Sequence, residues 1–328
     1  MSALRPWMCK ALTDKVWLLL RDANINTVID FVVRDREEIA RTCCIAYKDV
    51  VSIGRVLMAQ FSTFPLTGLQ LYTNIMSSHA ILSTGIASLD ELLDGGLYAG
   101  ELCELAGEAA SGKTQVCMRC AVTVATVHAQ NTMYIDTCGS FAGQNTLQHL
   151  PGAHTQEKTT FNGPFFVLLF GEMVEETLSK INCVKVHDIY TLLSALDDVS
   201  SSLKTRTGGQ HGNVKLIVVD CVAAIFSPIL GGQQMDSLAL IEHLGRQLKS
   251  MAADCSVACL ITNNLTSGVE GECQPCLGKV WAHVPHTRVL MGRDSCSDTS
   301  RKFTVVKSVR VKTPVTVLAE MNPEYPAG

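Results

Sequence analysis

The chain has no excess of positive charge. Its formal net charge is −4, so whole-chain electrostatics leave no footprint for sequence-independent nucleic-acid binding. Any contact with DNA has to come from a local patch or from partners. Long hydrophobic runs are missing as well. The most apolar stretch, residues 165–170, is far short of the ~20 residues a membrane-spanning helix needs. The first 17 residues lack an apolar core and a small-residue cleavage site, which excludes a signal peptide. C-x-x-C spacing occurs twice, at Cys117/Cys120 and at Cys273/Cys276. The first pair stands inside the apolar helical pattern that begins at residue 115, as buried small hydrophobes do, so a four-ligand metal site is not expected. No internal repeat is present. The cysteines sit scattered, several inside apolar runs, as small buried hydrophobes do in a reducing compartment. The expectation is a soluble intracellular protein with no membrane partner.

What is present is material for a core. Hydrophobic residues make up 47% of 328 and charged residues 18%, which excludes disorder over most of the length and suits about two domains. Residues 12–61 read as helices. Leu12, Val16, Leu19 and Leu20 recur at helical spacing behind a capping Thr13-Asp14. Further helices are expected at 28–33, from Asp35 with Ile39 facing inward, and at 47–60. Residues 1–61 thus form a small all-helical N-terminal domain, and residues 62–80, with Pro65 and Gly68, form a linker. From residue 81 the texture changes. Apolar runs at 102–105, 132–135, 183–186, 216–219, 257–261, 288–291, 303–309 and 315–318 alternate with helical patterns at 115–129, 188–203 and 237–253. That alternation indicates an α/β domain, residues 81–328, with a mostly parallel sheet covered on both faces. Residues 152–178 break the order. Three readings stand there: a buried strand at 165–170, a non-native insertion such as translated intron, and an exposed partner-binding patch.

Gly107-Glu108-Ala109-Ala110-Ser111-Gly112-Lys113-Thr114 fits G-x-x-x-x-G-K-[ST]. The chemistry dictates these types. Small residues and glycine let backbone N–H groups wrap a phosphate, and the following helix N-terminus, from Gln115, adds partial positive charge. Lys113 neutralises the β/γ-phosphates, and the Thr114 hydroxyl ligates Mg²⁺. By average composition the pattern arises by chance in a chain this long about once in a hundred sequences. The strand before it and the helix after it lower that further. Asp220 ends the apolar run 214–219, where ligands bind in open α/β sheets, and there it holds Mg²⁺ through water.

Around these motifs the sequence resembles the RecA-type recombinases. The carriers are Ile81-Leu82-Ser83-Thr84-Gly85-Ile86, Leu89-Asp90, Leu92-Leu93, Gly95-Gly96-Leu97, Gly100-Glu101 and the loop itself. Residues 132–137, 216–220 and Ile261-Thr262-Asn263 follow in family order. Leu12-Thr13, residues 56–62, Phe64-Pro65, Ser227-Pro228 and Leu230-Gly231-Gly232-Gln233-Gln234 are most similar to the D-type paralogue branch of the eukaryotic strand-exchange recombinase. The resemblance covers about residues 1–150 and 183–290, fails at 152–178 and is faint after Arg293. It implies a RecA-type P-loop ATPase core behind a helical N-terminal domain. It also implies ATP and Mg²⁺ as cofactors, and a place in a nuclear hetero-oligomer of recombinase paralogues. That complex supports homologous-recombination repair on single-stranded or branched DNA.

Two positions depart from the active pattern. Active members orient the attacking water with a glutamate where this chain has Cys138, and a thiol is a poor substitute. They place glutamine as γ-phosphate sensor where this chain has the shorter Asn264. Asp136 is either a substitute base or a strand-end acid near Mg²⁺. Weak hydrolysis is expected. The rivals are a nucleotide-binding scaffold without turnover and an unrelated P-loop kinase. Residues 227–236, with Gly231, Gly232, Gln233 and Gln234, match the family's first DNA loop. Residues 266–284, with Lys279, match the second, although ordinary surface loops would look the same. In the linker, Phe61 and Phe64 match the segment that docks on a neighbouring subunit; the alternative is packing on the chain's own helices.

Overall fold

The structure is a computed structural model. It describes residues 4–61, 67–70, 73, 80–143, 146, 148–150, 164–205, 213–229, 234–267, 273–294, 297 and 299–321. Two compact units divide the chain, residues 1–74 and 75–328.

The first unit includes the α-helices α1 (Asp14–Asp22), α2 (Val28–Val33), α3 (Arg36–Thr42) and α4 (Tyr47–Phe61). Their starts follow from caps. The Thr13 side chain accepts from the Val16 amide, and Thr27 and Asp30 form a reciprocal capping box on α2. Ile39 does face inward, joining Leu12, Leu20, Phe31, Val50, Ile53 and Leu57 in the core of the bundle. Of the linker, residues 62–66, and with them Phe64, lie outside the described residues.

The second unit opens with a short antiparallel pair, β1 (Ile81–Leu82) and β2 (Leu97–Tyr98), with α5 (Ala87–Leu92) between them. Then come β3 (Leu102–Gly107), α6 (Lys113–Thr126), β4 (Asn131–Asp136), α7 (Pro164–Ser179), β5 (Ile181–Lys185), α8 (Ile189–Thr205) and β6 (Val214–Asp220). The chain continues through α9 (Val222–Phe226), α10 (Gln234–Cys255), β7 (Ala258–Ser267), β8 (Cys273–Pro275) and α11 (Gly278–Ala282). It closes on β9 (Thr287–Arg293), β10 (Ser300–Lys307) and β11 (Val315–Glu320). The main sheet runs β11-β10-β9-β3-β7-β6-β4-β5, and off this path β8 pairs with β7. From β9 to β5 every pairing is parallel, while β10 and β11 add an antiparallel edge. Side chains alternate between the two faces as the pleat requires. Tyr134, Leu216, Val218 and Leu260 join the α6 side, whereas Met133, Ile135, Ile217, Val219 and Ile261 join the α8 and α10 side. Both faces are thus covered.

One expectation is overturned. Residues 165–170 are not a buried strand; they lie in the helix α7. A six-residue apolar run carries no period that separates helix from strand. The residues after it decide. The helix continues to Ser179, with Met173 and Val174 packed on the α6-side core and Thr177 buried. Residues 151–163 lie outside the described residues.

Candidate nucleotide-binding site

The loop at residues 107–114 hangs between the two most central elements of the second unit. β3 is buried along its whole length and paired on both sides, by β7 and β9, so its carboxyl end is fixed. Gly107 is compulsory there: a Cβ would lie 2.6 Å from the Met291 carbonyl oxygen and 2.7 Å from Ser111 Oγ. Ala110 and Gly112 take left-handed φ values of +57° and +101°, which fold the backbone back before α6 begins at Lys113. Lys113 is 8% exposed, and its ammonium donates to the carbonyls of Gly107 (2.9 Å) and Glu108 (2.7 Å). Burial pulls its pKa below the ordinary lysine value, against the opposing pull of Cys221 and Asp220 nearby. Ser111 is buried, and its hydroxyl has no partner. A loop closed around a desolvated cation, with one buried hydroxyl unspent, is a receptacle for an anion.

Asp220 faces this loop from the end of β6 and is buried. Tyr134 Oη donates to its Oδ2 at 2.9 Å, and Thr262 Oγ1 donates to its Oδ1. Asp136, one strand over, is in register with Asp220. Its carboxylate accepts from four successive backbone amides, Cys138 to Phe141, at 2.8–3.2 Å. Both oxygens of Asp136 are therefore engaged in shaping the turn after β4. That favours a structural role over that of a base, which would have to abandon those bonds. The turn presents Cys138 exposed. Asn264 sits in register with Gly107 across the β3–β7 pairing, half-buried beside the mouth of the loop.

Behind the loop a charged cluster anchors β3. Glu104 is fully buried in the middle of that strand. It accepts from Asn263 Nδ2 (2.7 Å), Trp281 Nε1 (2.8 Å) and the Arg288 guanidinium. Asn263 also holds the Cys276 carbonyl at 3.0 Å. A lone buried carboxylate would be costly; three donors, one of them cationic, offset that cost. The cluster ties β7, α11 and β9 to the strand that carries the loop.

A family model described as "RAD51D, N-terminal domain" matches residues 1–60, and one described as "Rad51" matches residues 76–156. The DNA repair protein RAD51 homolog 4 of Bos taurus is 41% identical over 317 residues, covering 95% of this chain and 93% of its own length. This chain belongs to the RAD51 family. Relatives named homolog 4 match it along most of its length. The mouse homolog 4 is 39% identical over 99% of both chains. The archaeal recombination protein RadA of Aeropyrum pernix is 28% identical over 64% of this chain.

As a RAD51-family core, the site brings together Gly107, Ser111, Gly112, Lys113, Thr114 and Asp220. RecA and RAD51 ATPases use ATP and Mg²⁺, and the residues present fit both. Phosphate oxygens would satisfy the Ser111 hydroxyl and the third Lys113 N–H. The polar, hydrogen-bonded Asp220 keeps lone pairs for a metal-bound water. Gln115 follows at the first turn of α6, where its Oε1 pairs with His149 Nε2 at 3.0 Å. The regions expected as DNA loops differ from open loops where they are described. β7 extends to Ser267 and pairs with β8, and Lys279 stands exposed on α11. Gly231, Gly232 and Gln233 lie outside the described residues, and Gln234 opens α10. Sequence reasoning missed the roles of Tyr134, Thr262 and Glu104. Only Glu104 carried a signal, a carboxylate alone in an apolar strand.

Proposed function

We propose that this chain is an ATP-binding, slowly hydrolysing subunit of a nuclear complex of RAD51-family paralogues. In this reading it acts on single-stranded or branched DNA in homologous-recombination repair. The observation that carries the nucleotide reading is Lys113, a buried ammonium held in a glycine loop beside an unspent Ser111 hydroxyl. Thr114 and, through water, Asp220 would hold Mg²⁺, which when bound neutralises charge on the phosphate oxygens. Recombination is supported by the names of the relatives, DNA repair proteins RAD51 homolog 4 and 3 and the recombination protein RadA. No described helix is long and apolar enough to cross a membrane. Cys138 and Asn264 support slow turnover, because neither supplies the reach or acidity of the glutamate and glutamine expected there. They equally favour a second reading, a nucleotide-bound scaffold with no turnover. Membership of the RAD51 family speaks against an unrelated kinase.

Calorimetry with ATP and Mg²⁺ on the parent and Lys113→Ala tests the site. Loss of a charged hydrogen-bond donor should weaken binding at least ~10-fold while the chain stays folded. Equal affinities would overturn the assignment. Turnover with and without single-stranded DNA separates the slow ATPase from the scaffold.

A further inference from the structure

The last residue of β9, Arg293, and the second residue of β10, Arg301, are register partners across an antiparallel pairing, so both side chains project from one face. Both reach the phosphate loop from outside. Arg301 Nε donates to the Ser111 carbonyl at 3.1 Å, and an Arg293 terminal N–H donates to the Ala110 carbonyl at 3.3 Å. Arg301 also braces its own strand through the Ser300 carbonyl at 3.0 Å. The side chain of Met291, on β9, fills the space over Gly112.

A trans peptide is planar, with its C=O and N–H pointing opposite ways. Holding the Ala110 and Ser111 carbonyls outward therefore turns the Ser111 and Gly112 amides to the opposite side, where the Ser111 amide donates to the Glu108 carbonyl at 3.3 Å and shares that carbonyl with the Lys113 ammonium. The same pull supports Ala110 in a left-handed conformation that an alanine avoids when nothing holds it. Two guanidinium charges also raise the potential on that side of the loop.

We infer that Arg301, with Arg293 assisting, is a positioning residue for nucleotide binding. The pair clamps the outer carbonyls of the phosphate loop, so that the antiparallel edge of the sheet sets the loop's readiness for phosphate. This rests on the nucleotide reading above and gives the segment after residue 293 a role in it. The clamp acts on the wrap around the β-phosphate, so ADP and ATP are affected alike.

The test is calorimetry with ADP and with ATP on the full chain, alongside nucleotide-free melting curves. Arg301→Gln should raise both dissociation constants about 10-fold, in parallel, with the nucleotide-free melting temperature unchanged. Arg301→Lys keeps the charge and loses the fork, and should fall between. Arg293→Gln should give about 3-fold, since Arg293 is exposed. If Arg301→Gln melts earlier, Arg293→Gln decides on its own. Parent affinity in Arg301→Gln and Arg293→Gln, or a lowered melting temperature with unchanged affinity, overturns the clamp. Failure of the parent itself to bind nucleotide overturns the reading beneath it instead.

Discussion

Asp220 can hold a metal-bound water only if its carboxylate keeps one orientation, and two hydroxyls fix that orientation. Burial, and then the Asp220 charge, push the Tyr134 phenol well above its usual pKa, so it stays a donor to Asp220 across the physiological range. Tyr134→Phe keeps the ring and its packing against Phe141, 4.7 Å between centroids, and removes only the donor. We expect the Mg²⁺ concentration for half-maximal ATP binding to rise ~10-fold, as loss of an orienting partner does at other metal sites. Nucleotide affinity in EDTA should stay as in the parent. An unchanged Mg²⁺ requirement would show that Thr262 alone suffices. Lys113 and Asp220 were legible in the sequence because their chemistry is written in short, local patterns. Tyr134 and Arg301 were not, because their partners stand 86 and 190 residues away. Glu104 announced that it needed a partner, yet nothing in the sequence said that Arg288, Trp281 and Asn263 would supply it.

Strands are where the sequence spoke most clearly, since fully covered parallel strands read as apolar runs. Short elements were silent: α9 and α11, five residues each, form because neighbours bury Phe226 and Trp281. The helix α7 was misread for want of a period in its apolar half. The entrance to β3 shows how one side chain splices two elements. His286 Nδ1 accepts the Leu102 amide at 2.9 Å, and the His286 amide donates to the Leu102 carbonyl at 2.9 Å. Burial first, then Lys249, lowers the His286 pKa below its ordinary 6.5. Above 6.5 the ring is neutral in both the folded and unfolded chain, and its contribution to stability is complete. As the pH falls below 6.5 the unfolded chain takes up the proton first, so stability declines toward the lowered folded value. His286→Asn offers an acceptor without a titration. Its melting temperature should fall less than the parent's between about pH 6.5 and pH 5. Parallel curves would place the acid sensitivity elsewhere.

At the scale of the molecule the chain is two units, and in the first α4 ends on Phe61, 44% exposed and outside that unit's core cluster. If Phe61 anchors a partner's ATPase core, Phe61→Ala should loosen co-precipitation with other RAD51 paralogues by ~2 kcal/mol. The melting temperature should not move. Intact co-precipitation with a lowered melting temperature would mean that Phe61 serves its own unit. The main sheet carries a further consequence, for the order of synthesis. β3 emerges early, but its two neighbours, β7 and β9, begin at residues 258 and 287. Until the ribosome has passed them, the strand bearing the loop has nothing to pair with, and Glu104 waits for Arg288 with its charge uncompensated. A premature stop codon ahead of Ala258 would yield a polypeptide with every residue of the phosphate loop and no means of holding it. In such a truncated product, detection of the loop would say nothing about nucleotide binding.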